Sequence, residues 1–398
     1  MSTFFDRQFD GPTELFSTPH VALNAPHPYT DDMVAECLTA IGNNAQSRIT
    51  RNCRIYVDGA LMCPFESRDV LRQIAQSGPI REVDWAEVFG GRDFLIFVNR
   101  AALYSSKLLS ASKAFVGTFD RRFGRSGISI EHHVIIGQYA ETSFGVHIDD
   151  PTDRVYHFNL GPHSKHMSLW PRQEFLAAYR GDAARLRRTV DHSEPSTYVM
   201  PVGSAFFLPA DYHHIGSSRD GVSIVVALAF SRQSESLLLR EALQELRQLV
   251  PSTMPLSRYY RDFVASADSE DDVIARYDQV GLSLAHRHAV ARRLSNNSFD
   301  EIPELNIPTI EASTGDYLRV DVPVEIVDAE EGAYVYAGGH RAFVASEKQV
   351  QDLSHLLAET GFEIGPNLGL DAEALAIRVW LVATGVARRR DVAQQSAQ

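Results

Sequence analysis

The chain has 398 residues, 44% of them hydrophobic, and its 38 basic against 51 acidic side chains give a formal charge of −13. That length calls for two or three modules rather than one small barrel, and the acidic balance excludes a general phosphate-binding surface, so no nucleic-acid partner is expected. No run approaches the roughly eighteen apolar residues of a membrane span, and Met1–Phe9 lacks a basic region followed by an apolar one.

Residues 1–127 read as a mixed α/β lead-in. Thr30–Ile41 and Ser67–Ser77 carry helical spacing behind a capping-type residue, while Arg54–Val57 and Phe94–Val98 read as short strands. The three cysteines, Cys37, Cys53 and Cys63, are odd in number and lack C-x-x-C spacing. They are read as buried or half-buried thiols in a reducing cytoplasm.

From Ile128 the period changes to that of strands. Ile128–Tyr139, Val155–Leu160, Lys165–Trp170, Ser204–Pro209 and Val222–Phe230 read as strands, the last with valine, isoleucine, leucine and phenylalanine at alternate positions, and Gly161-Pro162 breaks the second from the third. This is the pattern of an antiparallel jelly roll with a polar-lined mouth. Between those strands stand His147 and Asp149, two apart, and His214 follows the run Phe206–Pro209. A strand projects residues i and i+2 from one face, so the first pair offers an imidazole and a carboxylate to a single cation. A lone H-x-D is more often an ordinary hydrogen bond beside a turn former. With a later histidine in a sheet, it becomes a candidate facial triad that leaves three metal positions open, as a non-haem Fe(II) site requires.

After Phe230 the leucines of Ser234–Leu249 recur at three and four, and Leu256–Ala265, Asp271–Gln279 and Leu284–Leu294 are also helical in spacing. Residues 233–295 are therefore a helical module, either packed within the chain or serving homodimerisation. Residues 296–316, rich in Asn, Pro, Ser and acids, read as a linker. Val322–Val327 and Ala333–Val344 then read as strands, with helices over Glu347–Thr360 and Asp371–Thr384, which suits a winged-helix-like domain over 317–390 and a tail over 391–398. The basic clusters Arg185–Arg188 and Arg388–Arg390 lack interleaved aromatics, which favours a solvated helix face or tail over a nucleic-acid footprint.

In motif order the stretch 128–232 resembles the JmjC-type, cupin-related double-stranded β-helix of 2-oxoglutarate- and Fe(II)-dependent oxygenases: His147-x-Asp149, Lys165 opening a strand that ends at Pro171, then Pro201-Val202-Gly203-Ser204, Leu208-Pro209 and His214. The whole is thus expected to be α+β, a barrel over 128–232 joined to the modules above. That arrangement resembles the ribosomal oxygenases. The resemblance implies His147, Asp149 and His214 as ligands, with His213, one residue early, as the alternative to His214. It also implies Fe(II), 2-oxoglutarate and O2 as cofactor and co-substrates, and Lys165 as the cation for the distal carboxylate of 2-oxoglutarate. Tyr139, Thr142 and Ser143 stand where their hydroxyls would reach the same group. The implied reaction is hydroxylation of a side chain in a protein or ribosomally made peptide. A free amino acid or other small molecule, N-demethylation, and a silent cupin-like binding protein are the alternatives.

Overall fold

The computed structural model describes residues 17–43, 52–116, 128–179, 185–186, 194–232, 239–245, 281–296, 299, 302, 307, 313–319, 323–329, 332–344, 347–364 and 372–389. They fall into two units, one drawn from 1–124, 128–232 and 299–303, the other from 125–127, 233–298 and 304–398.

The first unit holds β1 (His20–Ala22), α1 (Asp31–Asn43), β2 (Cys53–Val57), β3 (Ala60–Leu61), α2 (Pro64–Gln76), α3 (Trp85–Phe89), β4 (Phe94–Asn99), α4 (Ser106–Val116), β5 (Ile128–Tyr139), β6 (Val146–His147), β7 (Arg154–Pro162), β8 (Lys165–Pro171), α5 (Arg172–Tyr179), β9 (Arg185–Leu186), β10 (Ser196–Met200), β11 (Ala205–Pro209) and β12 (Tyr212–Arg232). One antiparallel layer runs β1-β11-β7-β12-β5-β4-β2-β3. The other runs β9-β6-β12-β8-β10, so β12 serves both: residues 212–217 pair with β8 and the rest with β5 and β7. A strand shared by two sheets is how a jelly roll closes without a free edge at the fold line.

Strand alternation decides which residues line the inside. In β12, Ile224, Val226, Leu228 and Phe230 join the core under α1, α2 and α4, whereas Ala227 and Ala229 pack with Val155, Met167, Leu169 and Phe206 between the layers. In β7 the same rule sends Tyr156 and Phe158 to the helix-covered side. The helices earn that position by their stripes: α1 buries Val34, Cys37, Leu38 and Ile41, spaced at three and four. Its acidic first turn, Asp31 and Asp32, suits the helix dipole, and Arg81 pairs with Asp31.

In the second unit, residues 239–245 are helical. It also holds α6 (Leu282–Leu294), β13 (Gly315–Arg319), β14 (Val324–Ala329), β15 (Gly332–Ala337), β16 (His340–Val344), α7 (Glu347–Ala358), β17 (Gly361–Ile364), α8 (Ala372–Ala383) and β18 (Ala387–Arg389). Its sheets run β17-β13-β18 and β14-β15-β16 around a core that includes Tyr317, Val335, Trp380 and Leu381. Buried Glu245 takes Arg292 at 3.2 Å and Arg341 at 3.3 Å.

Several expectations need correction. Cys37 and Cys53 are buried, but Cys63 is exposed, because it sits at the turn that caps α2. Arg185 belongs to a strand paired with β6, not to a helix face, and β7 continues through Gly161 and Pro162 instead of breaking before them. Phe299, in the expected linker, is buried, stacks on His132 at 5.1 Å and bridges to Ile130. The expected helices Leu256–Ala265 and Asp271–Gln279 lie outside the described residues, as do the ends of Ser234–Leu249.

Phe158 is fully buried against Tyr29, Phe115 and Tyr156. Phe158→Ala should lower the unfolding free energy by roughly 3–5 kcal/mol in urea titrations, while Leu23→Ala, at a 67% exposed position, should change it by less than about 0.5 kcal/mol.

Candidate metal centre

His147 and His214 are directly opposed across the β6–β12 pair. Facing residues on adjacent strands share a side of the sheet, so both imidazoles point one way. Their neighbours show which way: Val146 and Ile215 pack on Trp170 and Phe175 under α5, outside, which leaves the two histidines inside. The ring centroids lie 4.2 Å apart. Asp149 follows with Oδ1 at 3.9 Å from Nε2 of His147 and Oδ2 at 3.8 Å from Nε2 of His214. One ligand atom from each of the three lies within 4.8 Å of the others.

The protonation pattern suits a metal. Nδ1 of His147 lies 2.9 Å from the carbonyl of Gly145, and Nδ1 of His214 lies 3.3 Å from that of Tyr212. A carbonyl only accepts, so each ring donates from Nδ1 and turns the Nε2 lone pair toward the cluster. Burial, reinforced by the nearby His147, pushes His214 down to about 4, so it is neutral at physiological pH. Burial opposes charge on Asp149, but the imidazoles of His214 and His147 outweigh it and hold the carboxyl below its ordinary value. The His147 imidazole, a neutral His214 and the Asp149 carboxylate, gathered on one side of the sheet, are a donor set that fits Fe(II).

His213 is not part of this group. It pairs with Trp170, is buried on the outer face and stacks on Phe175 at 3.9 Å.

Lys165 is 1% exposed, at the start of β8 on the inner side. Its ammonium donates to the hydroxyl of Tyr139 and lies 4.9 Å from the centroid of that ring. No carboxylate among the described residues pairs with it. Thr142 is beside it: a side chain at Gly216 would come within 3.3 Å of Thr142 Cγ2 and 3.4 Å of Lys165 Nζ, so glycine keeps that space open. The Thr142 hydroxyl is buried without a partner. Ser143, half-buried on the same turn, makes no hydrogen bond within the described residues.

His157, like His163 and His166, is expected from its place in the sequence only to be structural or substrate-facing. It alternates with Val155 on the inner side of β7, is 6% exposed, and leaves Nδ1 without a partner. Burial, then the charge of Lys165, pushes it down to about 3. The alternation of β7 was the available signal. His163 and His166 lie elsewhere: the first is exposed, and the second meets Asp220 at 3.1 Å on the outer side.

No family model and no curated protein matches the chain. Solved structures do. A crystal structure of the Escherichia coli ribosomal oxygenase YcfD superposes with a TM-score of 0.50 at 12% identity, over 94% of this chain and 94% of that one. A further structure of that protein gives 0.51 at 12% identity, over 97% and 98%. The two chains share a fold. At that identity the likeness concerns architecture alone, and the chemistry must be argued from the side chains.

His157 takes a proton near 6.5 when unfolded and only near 3 when folded. Its neutral form therefore stabilises the fold fully above about pH 6.5, and that contribution drains away as the pH falls toward 3. The metal-free His157→Gln variant should accordingly lose less unfolding free energy than wild type between about pH 7 and pH 5, by about 1–2 kcal/mol. Parallel pH profiles for the two proteins would contradict the assignment.

Proposed function

We propose that this chain is a 2-oxoglutarate- and Fe(II)-dependent oxygenase that hydroxylates a side chain in a protein or ribosomally made peptide. The observation that carries the reading is the occurrence, in the same barrel, of His147, Asp149 and His214 and a buried lysine that meets no carboxylate among the described residues. An unpaired buried cation costs several kcal/mol, and an anionic ligand is what offsets it. A silent scaffold has no physical need for either feature.

His147, Asp149 and His214 would hold the iron, and bound Fe(II) supplies O2 activation coupled to conversion of 2-oxoglutarate to succinate and CO2. The remaining work falls to the chain. Lys165 holds the distal carboxylate by charge, and Tyr139, whose oxygen already accepts from Lys165, keeps its own hydrogen for that carboxylate. The unpartnered Thr142 hydroxyl gives a further donor, and Gly216 leaves room for the group. Met167, Leu169, Ala227 and Ala229 make the interior beside them apolar and keep water from the charged end. The ribosomal role of the YcfD protein, whose fold this chain shares, supports a polypeptide substrate.

Finer parts of the reading rest on composition and surface. The three cysteines without C-x-x-C spacing support a cytoplasmic protein, and the charge of −13 supports one that leaves nucleic acid alone, with a winged-helix-like region over 317–390 that is structural. Leu239 and Leu243, one helical turn apart and 48% and 46% exposed, support homodimerisation through the helical region.

Anaerobic titration with Fe(II) and 2-oxoglutarate should produce the visible metal-to-ligand charge-transfer band, and His147→Ala, Asp149→Ala or His214→Ala should abolish it. A wild-type protein without the band would defeat the reading. In Lys165→Ala, the half-saturating 2-oxoglutarate concentration should rise at least about tenfold, the equivalent of about 1.4 kcal/mol, while iron affinity is kept. An unchanged requirement would remove Lys165 from the co-substrate site.

A further inference from the structure

Beyond the barrel, the layer that carries β12 and β5 continues through β4 and β2. Across these strands Arg54 is in register with Phe97, and Asn99 with His133. The intervening residues Ile55, Ile96 and Val134 are fully buried beneath the helices, so Arg54, Phe97 and His133 occupy the opposite face, which in β5 also carries Tyr139 of the barrel interior. There they are half-exposed, and aromatic rings connect them to the metal centre. Phe97 stacks on His133 at 5.7 Å and meets Phe144 edge-on at 4.9 Å, and Phe144 in turn packs against His147 at 6.0 Å. The result is a wall beside one metal ligand.

The guanidinium of Arg54 lies over two of those rings, 4.9 Å from the centroid of Phe97 and 5.0 Å from that of Phe144. Because the two ring centroids are themselves only 4.9 Å apart, both rings lie on one side of the cation, and no carboxylate of the described residues meets its N–H edge. A planar cation fixed by aromatic contact and left with an open fork of donors is matched to a carboxylate, which it can hold through two parallel hydrogen bonds. Under the proposed function Lys165 takes the co-substrate, whereas Arg54 is joined to His147 through Phe144. The overall charge of −13 disfavours a polyanion there, so a single carboxylate fits better than a nucleic-acid backbone.

We propose that Arg54, held over Phe97 and Phe144, anchors a carboxylate of the substrate beside the metal centre. This rests on the oxygenase reading and adds to it the chemistry the substrate must carry: either an acidic side chain near the modified residue of a polypeptide, or the α-carboxylate of a free amino acid or chain end.

The test loads the full chain with Mn(II) and the unreactive analogue N-oxalylglycine. The probes are acetylated, amidated peptide libraries with one position fixed as Glu, Gln or Lys, a matching library with a free C-terminal carboxylate, and free amino acids as competitors. Wild type should retain Glu over Gln peptides by about fivefold or more if the group is a side chain. It should instead favour the free-carboxylate library, with competition from free amino acids, if the group is an α-carboxylate. Either preference should fall to near unity in Arg54→Gln and survive in part in Arg54→Lys. The charge-transfer band with Fe(II) and 2-oxoglutarate should persist in both variants, which separates this proposal from the oxygenase reading and shows that the variants fold. Libraries that bind without a carboxylate preference, libraries that do not bind, or a preference that survives in Arg54→Gln would overturn it. Loss of the band in Arg54→Gln would do so as well, by placing Arg54 in the co-substrate site.

Discussion

Because β6 is two residues long and meets β12 at the single position His147↔His214, the metal centre depends on one antiparallel register. A slip by one residue would turn His214 outward and His213 inward, since neighbours on a strand face opposite sides. What prevents the slip is apolar. Val146, Ile215, Trp170 and Phe175 form a small cluster outside the layer, and His213 stacks into it. The ligand geometry is thus held by packing on the face away from the metal.

The same logic extends along β12. Its 21 residues belong first to the layer with β8 and then to the layer with β5 and β7, and the side-chain sizes change with the surroundings. Small Ala227 and Ala229 face the interior, while Val226, Leu228 and Phe230 fill the space under the helices. Near the bend, a side chain at Gly216 would press on Thr142 and lie against the Lys165 ammonium. One strand therefore supplies a candidate metal ligand, part of the interior between the layers and the space around the buried lysine.

Most of this barrel was legible in the sequence because its information is local. The strand pattern gave Ile128–Tyr139 with the bounds the structure shows, and His147 and Asp149 are two apart by inspection. His214 against His213 required a spacing pattern beyond the strand itself. What stayed hidden depends on long-range placement. Arg54 reads only as part of a short strand until β4 carries it beside Phe144, 90 positions later in the chain. His157 looked like one histidine among nine between His132 and His214 until β7 took its place in the layer. Cys63 was misread because the number and spacing of cysteines say nothing of exposure, although the adjacent Pro64 marks the helix start that leaves the thiol in solvent.

Charge within the cavity adds a constraint that neither the ligands nor Lys165 express alone. Among the described group of His157, His214, Asp149 and Lys165, burial and the nearby lysine keep His157 neutral and burial does the same for His214, so Asp149 and Lys165 are the two charges of that group. They cancel one another only in sum, for the lysine is engaged with Tyr139 and the aspartate with the histidines. Adding a divalent cation beside Asp149 leaves the cavity doubly positive, and adding a dicarboxylate beside Lys165 leaves it doubly negative. Either step by itself is opposed by the low polarity of the walls, and both together restore neutrality. Under the proposed function, each partner therefore raises the affinity for the other by the same factor, as linkage demands. A monocarboxylate of similar size would leave a net positive charge behind, so the cavity's electrostatics favour the dianion.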